Sequence, residues 1–471
     1  MISLVPLRQG LQRKLNRRDM LQLSGLGSLG MMLPEAAVRA ASVNHATAKN
    51  CIYIFLCGGP SQLEMWDPKP EAPEEIRGPF GSSATNVPGI HVGGLLPKTA
   101  RHADKYALIR SLNHNTTSHD TGIMYTLLAD SSPPSNQAYP PVRSDHPGLG
   151  AILRHTLGES SALPAWVTIP RPFTTGARFY KGQSAGFLGP AHDPFFLDEE
   201  KKDSLADKEF EVKTLQPLEG LNVDRIVERN ELLTQLDVTQ LAEATASRRY
   251  AQYRKQAYRM IASSSVREAF ELKREPRRLR DQYGRNEYGQ SFLLARRLVE
   301  SGVRMVNVFW TFYGPDGCQF NLWDNHGSDM PKVCGGPNRG VDMLTHDYCC
   351  PSFDLAFSTL LEDLTERGML DDTLVVVIGE FGRTPKMNKW SGRDHWGACY
   401  SALLAGGGVQ GGQCFGASDK QAAYVKDSPV TPEDVGATIL HAFGVSPEAL
   451  LYDQTDRPVR SSKGSPIAAL F

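Results

Sequence analysis

Short apolar runs alternate along the chain with longer amphipathic stretches. Beginning at Cys51 the sequence reads Cys-Ile-Tyr-Ile-Phe-Leu-Cys and then stops at Gly58-Gly59-Pro60-Ser61. A continuous apolar run closed by turn residues predicts a strand buried on both faces, as in a parallel sheet. The pattern recurs at 106–109, Trp166–Ile169, Met305–Trp310, Thr373–Ile378 and Tyr400–Ala405. Helical periodicity between these runs predicts helices over 148–156, 224–262, 288–300, 352–367 and 433–443. Strands alternating with helices define an α/β class with a doubly wound, mostly parallel sheet.

Two stretches interrupt the alternation. Residues 198–285 are dense in Lys, Arg, Asp and Glu with helical periodicity, which predicts a helical cap or insert whose charge is mostly a solvated face. Residues 313–350 are rich in Gly, Pro, Cys and Asp and predict a long irregular loop insert. Four of the eight cysteines (Cys318, Cys334, Cys349, Cys350) fall in that insert, and the chain has no CxxC pair. Thiolate zinc is thereby disfavoured, and a local disulfide is expected if the compartment is oxidising.

Composition narrows the function classes. The 471 residues carry 51 Lys+Arg against 52 Asp+Glu, a net charge of −1. That balance gives no field to gather a polyanion, so a nucleic-acid partner is excluded and any charged ligand needs a local site. Hydrophobic residues at 41% are enough for a sizeable core. No window approaches the roughly 20 apolar residues of a bilayer span. At the N-terminus, Arg8, Arg13 and Lys14 precede Asn16-Arg17-Arg18-Asp19-Met20-Leu21 and a glycine-rich apolar run to Leu33, with Val38 and Ala40 placed for cleavage after Ala40. This layout, over residues 1–40, resembles a twin-arginine export signal and predicts a mature chain of 41–471 outside the cytoplasmic membrane, periplasmic or extracellular. The competing reading is an amphipathic N-terminal helix.

In open α/β sheets ligands gather at the carboxyl ends of the strands, so the residues after each apolar run carry the chemistry. Gly58-Gly59 lets backbone amides approach an anion, with Ser61 beside it as a candidate substrate-binding hydroxyl; a tight turn explains the glycines equally well. After the second run comes Arg110-Ser111-Leu112-Asn113-His114-Asn115-Thr116-Thr117-Ser118-His119-Asp120-Thr121-Gly122. Hydroxyls and two histidines there precede a helix start, where free amides favour an anion. Capping alone would account for Thr117 or Ser118 but not for the histidines. Asp324 and His326, two residues apart in Trp323-Asp324-Asn325-His326-Gly327, can face one metal. Glu380 and Arg383 follow the fifth run, where Arg383 offers a fork for phosphate or sulfate oxygens unless it pairs with Glu380. Arg393, Asp394 and His395 precede the sixth.

Taken together, IYIFLCGGPSQLEMWDPKP (within 51–70), WDNHG (323–327), TLVVVIGEFGRTP (Thr373 onward), GRDHW (392–396) and LAGGGVQGG (404–412) resemble the exported bacterial family called domain of unknown function 1501. The resemblance implies a distant relation to the alkaline phosphatase and sulfatase superfamily, one α/β domain with an alkaline-phosphatase-like sheet, and a site for a divalent metal such as zinc, manganese or calcium. It implies a nucleophile near Thr116 followed by His119 and Gly122, metal ligands at Asp324, His326, Asp394 and His395, and Glu380 as ligand or base. Arg383 and Arg393 would hold the anionic group of a small-molecule or polysaccharide ester. Two departures stand out. Gly58-Gly59 replaces a metal-binding Asp after the first strand, where Glu64 or Asp67 would have to reach back. Glu380-Phe381-Gly382 replaces Asp-His-Gly. The expectation is an exported metal-dependent hydrolase of phosphate or sulfate esters, and the alternative is a non-catalytic binding or scaffold protein on the same fold.

Overall fold

The computed structural model describes residues 46–197, 256–313, 319–329 and 337–471, with scattered positions between 204 and 254. The export-signal residues and most of the helix expected at 224–262 lie outside the described residues. So do Cys318 and Cys334; Cys349 and Cys350 are buried free thiols.

Each of the six apolar runs is a strand of one sheet. In chain order the sheet strands are β1 (Asn50–Leu56), β2 (Tyr106–Leu112), β3 (Trp166–Ile169), β4 (Phe195–Phe196), β5 (Met305–Trp310), β6 (Thr373–Ile378), β7 (Tyr400–Ala405) and β8 (Gln413–Phe415). They lie in the order β8-β2-β7-β6-β1-β5-β3-β4. β1 pairs parallel with both β6 and β5, and β5 pairs parallel with β3. Only β7 runs against its neighbours, being antiparallel to β6 and to β2. The two edge strands β4 and β8 are too short to show a pattern in sequence.

Period-two alternation divides the core between the two faces of the sheet. Ile52, Ile54 and Leu56 of β1 join one apolar cluster with Val375, Val377 and Trp310. Helices α5 (Glu287–Glu300) and α6 (Cys350–Glu366) cover that face, with α3 (Ser264–Phe270) and α4 (Arg277–Tyr283) packed on them. Cys51, Tyr53 and Phe55 point the other way, into a cluster with Val376 and Ile378. That second face is covered by α1 (His119–Leu128), α2 (Leu149–Leu157) and α7 (Pro432–Ala442). Burial of each large apolar side chain is worth about 1.5–3 kcal/mol, and six consecutive residues of β1 are buried. A continuous apolar run is therefore the sequence signature of the central strand.

Local chemistry fixes the helix starts. Asn286 accepts from the backbone N–H of Tyr288 and Gly289 (3.1 and 3.0 Å) to open α5. Thr431 and Asp434 form a reciprocal capping box at α7, with Pro432 in its first turn. Of the stretch expected as a cap, residues 264–283 belong to the helical layer: Val266, Phe270 and Tyr283 are buried in the core. Among the described residues no helix is long and apolar enough to cross a membrane.

Candidate metal centre

β2, β6, β1 and β5 all run in the same direction, which brings their carboxyl ends to one edge of the sheet. Because β7 is reversed, the residues that precede it arrive at that same edge, while the glycines 406–408 that follow it lie at the other. Five segments therefore converge: Gly58-Gly59 after β1, residues 113–119 after β2, the 323–327 loop after β5, Glu380–Arg383 after β6, and His395 before β7.

At their centre stands the carboxylate of Asp324. His119 Nε2 and His326 Nε2 each lie 3.3 Å from its Oδ2, and His395 Nε2 lies 3.1 Å from Oδ1. Each imidazole is held by its other nitrogen. His119 Nδ1 is 2.7 Å from Glu380 Oε1, His326 Nδ1 is 2.5 Å from the Gly327 carbonyl, and His395 Nδ1 is 3.0 Å from the Thr117 carbonyl. Carbonyl and carboxylate partners of this kind take a proton from Nδ1 and leave Nε2 free to ligate, the usual outer-sphere arrangement of a metal-binding histidine. The Phe381 ring closes one side, 4.8 Å from the His119 ring and 4.9 Å from that of His395.

Donor chemistry and spacing both fit a divalent ion. One ligand atom from each of His119, Asp324 and His395 lies within 4.8 Å of the others. Metal–donor bonds of about 2.0–2.2 Å separate tetrahedral ligands by roughly 3.5 Å, so small rotations suffice. His119 Nε2 is buried and faces only the Asp324 carboxylate, at 3.3 Å and outside good hydrogen-bond geometry, a position in which a cation between the two would serve both. Three imidazoles and one carboxylate suit zinc or manganese. They do not suit calcium, which takes oxygen ligands.

Electrostatics hold the cluster together without the ion. Burial disfavours a charged His119 ring, but the Asp324 and Glu380 carboxylates outweigh it and push its pKa up to about 9. Burial would raise the Asp324 carboxyl; Arg383 and the three imidazoles hold it well below the usual range. Arg383 is fully buried, and its Nη2 meets Asp324 Oδ1 at 2.6 Å.

The two missing positions have a steric account. A Cβ on Gly58 would lie 2.6 Å from the Asp324 backbone nitrogen, and Gly58 has φ +122°. Glycine after β1 thus admits the Asp324 loop, whose carboxylate stands beside the end of β1, and the Gly58 amide donates to Glu380 Oε1 (2.9 Å). Glu64 and Asp67 do not reach back. Glu64 is buried against Arg393, and Asp67 against Lys69 (2.8 Å). Gly122, one turn into α1, lets that helix approach the Glu380 carbonyl, which a Cβ would meet at 3.0 Å.

The structure brings together His119, Asp324, His326, His395 and Glu380, with Thr116 on the adjoining loop. It does not bring in the rest. Arg393 is spent on Glu64, with Nη2 to Oε1 at 2.6 Å and to the Ile76 carbonyl at 2.7 Å. Asp394 is exposed and accepts from Asn388 Nδ2 at 2.9 Å. Ser61 is fully buried, so its hydroxyl does not face solvent. Arg383 donates to the Gly59 carbonyl (2.8 Å), the Arg393 carbonyl (3.1 Å), the Gly58 carbonyl and Asp324. It therefore clamps protein groups, not a ligand, and it pairs with Asp324 while Glu380 pairs with His119. Ser118 is the residue before α1 but makes no side-chain cap. His114, which the sequence offers only as one of two histidines in a polar run, is the ring that joins Thr116 to the Glu380 turn.

The fold and site define an α/β protein with a candidate metal centre at the carboxyl edge of its sheet. A match over residues 48–471 shows that the chain belongs to the family described as Protein of unknown function (DUF1501). No curated protein matches it in sequence. Solved structures similar to it include the phosphonate monoester hydrolase SpPMH from Silicibacter pomeroyi, at 12% identity and TM-score 0.40, covering 89% of this chain and 75% of that one. The PsFucS1 sulfatase from Pseudoalteromonas sp. matches at 12% identity and TM-score 0.35, covering 88% and 72%. The phosphonate monoester hydrolase of Agrobacterium radiobacter matches at 10% identity and TM-score 0.37, covering 89% and 76%.

Proposed function

We propose that the protein is an exported, metal-dependent hydrolase of phosphate or sulfate esters. The observation that carries this reading is the convergence of three imidazole Nε2 atoms on one carboxylate, each ring braced at Nδ1. His119, Asp324, His326 and His395 would hold the ion, with Glu380 orienting His119 and Arg383 orienting Asp324. When bound, a divalent ion supplies Lewis-acid polarisation of an ester oxygen and a lowered pKa for a neighbouring hydroxyl or water. Two positive charges added to Asp324, Glu380 and Arg383, with neutral imidazoles, leave the site at plus one, which favours an anionic ester over a neutral one. Thr116 is the nucleophile that the chain itself offers. It lies one residue before the carbonyl that braces His395, and its hydroxyl accepts from the Ser118 amide at 3.1 Å. The start of α1 beyond it presents first-turn amides to an oxyanion.

One observation favours the binding-protein alternative. Arg383 and Arg393, the guanidiniums best suited to grip an ester's oxygens, are both consumed by protein acceptors. Elemental analysis of purified mature protein, alongside turnover of a chromogenic aryl phosphate and aryl sulfate, separates the two. A hydrolase carries stoichiometric metal and turns over at least one ester, and loses both in His395→Ala. Metal content unchanged in His395→Ala overturns the metal-centre reading, and bound metal without turnover of any ester favours the binding protein.

A further inference from the structure

We propose that His114 is a positioning residue for this centre: its ring ties the Thr116 loop to the Glu380 turn, and its backbone amide joins both to the segment that delivers His395. The proposal rests on the metal-centre reading above and adds a residue that lies outside the ion's own ligands.

His114 is the second residue after β2, well short of α1, and its ring is wedged between aromatic neighbours. The Tyr400 ring is 5.3 Å away and the Tyr125 ring 6.0 Å. Its two nitrogens face opposite partners. Nε2 lies 2.6 Å from the Glu380 carbonyl, an acceptor only, so Nε2 carries the proton. Nδ1 lies 3.3 Å from the Thr116 backbone nitrogen, a donor only, so Nδ1 must be bare. The two contacts together admit a single protonation state, the neutral Nε2–H form. A charged ring would set Nδ1–H against the Thr116 N–H.

The third segment is joined through the backbone. The His114 amide donates to the Gly397 carbonyl at 2.9 Å, two residues beyond His395. Gly397 has to be glycine for this approach, since a Cβ there would lie 2.8 Å from His114 Nδ1 and 2.2 Å from the Thr116 carbonyl. The Thr117 carbonyl in turn accepts from His395 Nδ1. The Glu380 peptide that His114 grips belongs to the residue whose carboxylate braces His119. Displacing this one ring therefore loosens the braces of two ligands and the loop of the candidate nucleophile, although His114 touches none of the Nε2 atoms that face the ion.

Shape and polarity can be separated by substitution. His114→Phe keeps an aromatic ring between Tyr125 and Tyr400 but removes both polar links. His114→Gln restores an N–H donor toward the Glu380 carbonyl. The experiment measures zinc affinity of the full mature chain by competition with a chromogenic chelator, alongside the urea midpoint of the metal-free protein. Loss of an outer brace to a metal ligand costs about 10–100-fold in affinity, and that loss is expected for His114→Phe. His114→Gln is expected to recover most of it. A merely structural role would lower the urea midpoint of His114→Phe while its folded fraction bound zinc as tightly as the unaltered protein, and that result overturns the proposal. Ring nitrogen NMR of the unaltered protein tests the same claim without any variant. A protonated Nε2 and bare Nδ1 at pH 7 are expected, and the opposite tautomer overturns it. If the unaltered protein binds no zinc, it is the metal-centre reading that fails, and the ring tautomer still reports on the bracing geometry.

Discussion

Lowering the pH should eject the metal by protonating His119, and the structure sets the window. In the metal-free protein burial works against a charged ring, but the flanking Asp324 and Glu380 carboxylates prevail and bring the His119 pKa to about 9. Metal needs the bare nitrogen. At pH 7 the ring is two units below that pKa, so only about one molecule in a hundred offers it. Binding at pH 7 must then release about one proton from His119, and zinc affinity should rise about tenfold per pH unit from 7 toward 9 before flattening. The sign for the metal-free fold is opposite. A folded pKa above the ordinary imidazole value of about 6.5 contributes stability that is complete below that value and disappears as pH climbs through about 9. Titration calorimetry in two buffers of different ionisation enthalpy measures the proton count, and urea unfolding across the same range measures the second effect. Zinc binding that releases no proton and keeps one affinity between pH 7 and 9 would refute this account of the cluster.

Three substitutions probe the same groups. Asp324→Asn should abolish metal binding and leave the Arg383 guanidinium buried without its counter-charge, a loss of about 3–5 kcal/mol readable in urea unfolding of the metal-free protein. Glu380→Gln removes the charge beside His119; the limiting zinc affinity at pH 9 and above should fall about 10–100-fold, and the pH at which affinity levels off should shift downward from about 9 in the same titration. Gly58→Ala sets a Cβ 2.6 Å from the Asp324 nitrogen at a positive φ, so metal content measured by elemental analysis should drop while the circular dichroism of the sheet is retained.

Much of the architecture was legible in residue order. Trp166–Ile169, Met305–Trp310, Thr373–Ile378 and Tyr400–Ala405 are strands at the bounds their apolar runs predict. A strand buried on both faces has to be apolar at every position, and that is a local signal. The helices expected at 148–156, 288–300, 352–367 and 433–443 fall within two residues of the observed Leu149–Leu157, Glu287–Glu300, Cys350–Glu366 and Pro432–Ala442, because periodicity is also a local signal. The polar clusters at the strand ends identified His119, Asp324, His326, Glu380 and His395, since charge beside an apolar run needs a partner. What they did not reveal was which partner.

That choice belonged to the tertiary structure. Glu64 and Arg393 meet across 329 positions of sequence, and Arg383 takes Asp324 across 59. Periodicity carries no information over such distances, so Arg393 resembles an anion receptor until its buried carboxylate is seen. The reversal of β7 brings His395 to the ligand edge and sends the 406–408 glycines away from it, a matter of strand pairing that the run Tyr400–Ala405 leaves open. The bare end of β1 is a second case: two glycines read as an absent ligand, whereas the missing Gly58 side chain makes room for the loop backbone at Asp324 and the missing Gly59 side chain for the Phe381 ring. Residue order determined the strands, the layers and the ingredients of the centre, because those depend on short-range burial and capping. Packing alone decided which charges neutralise each other and which remain to face an ion, because that depends on contacts between segments far apart in the chain, from 59 to 329 positions for the pairs named above.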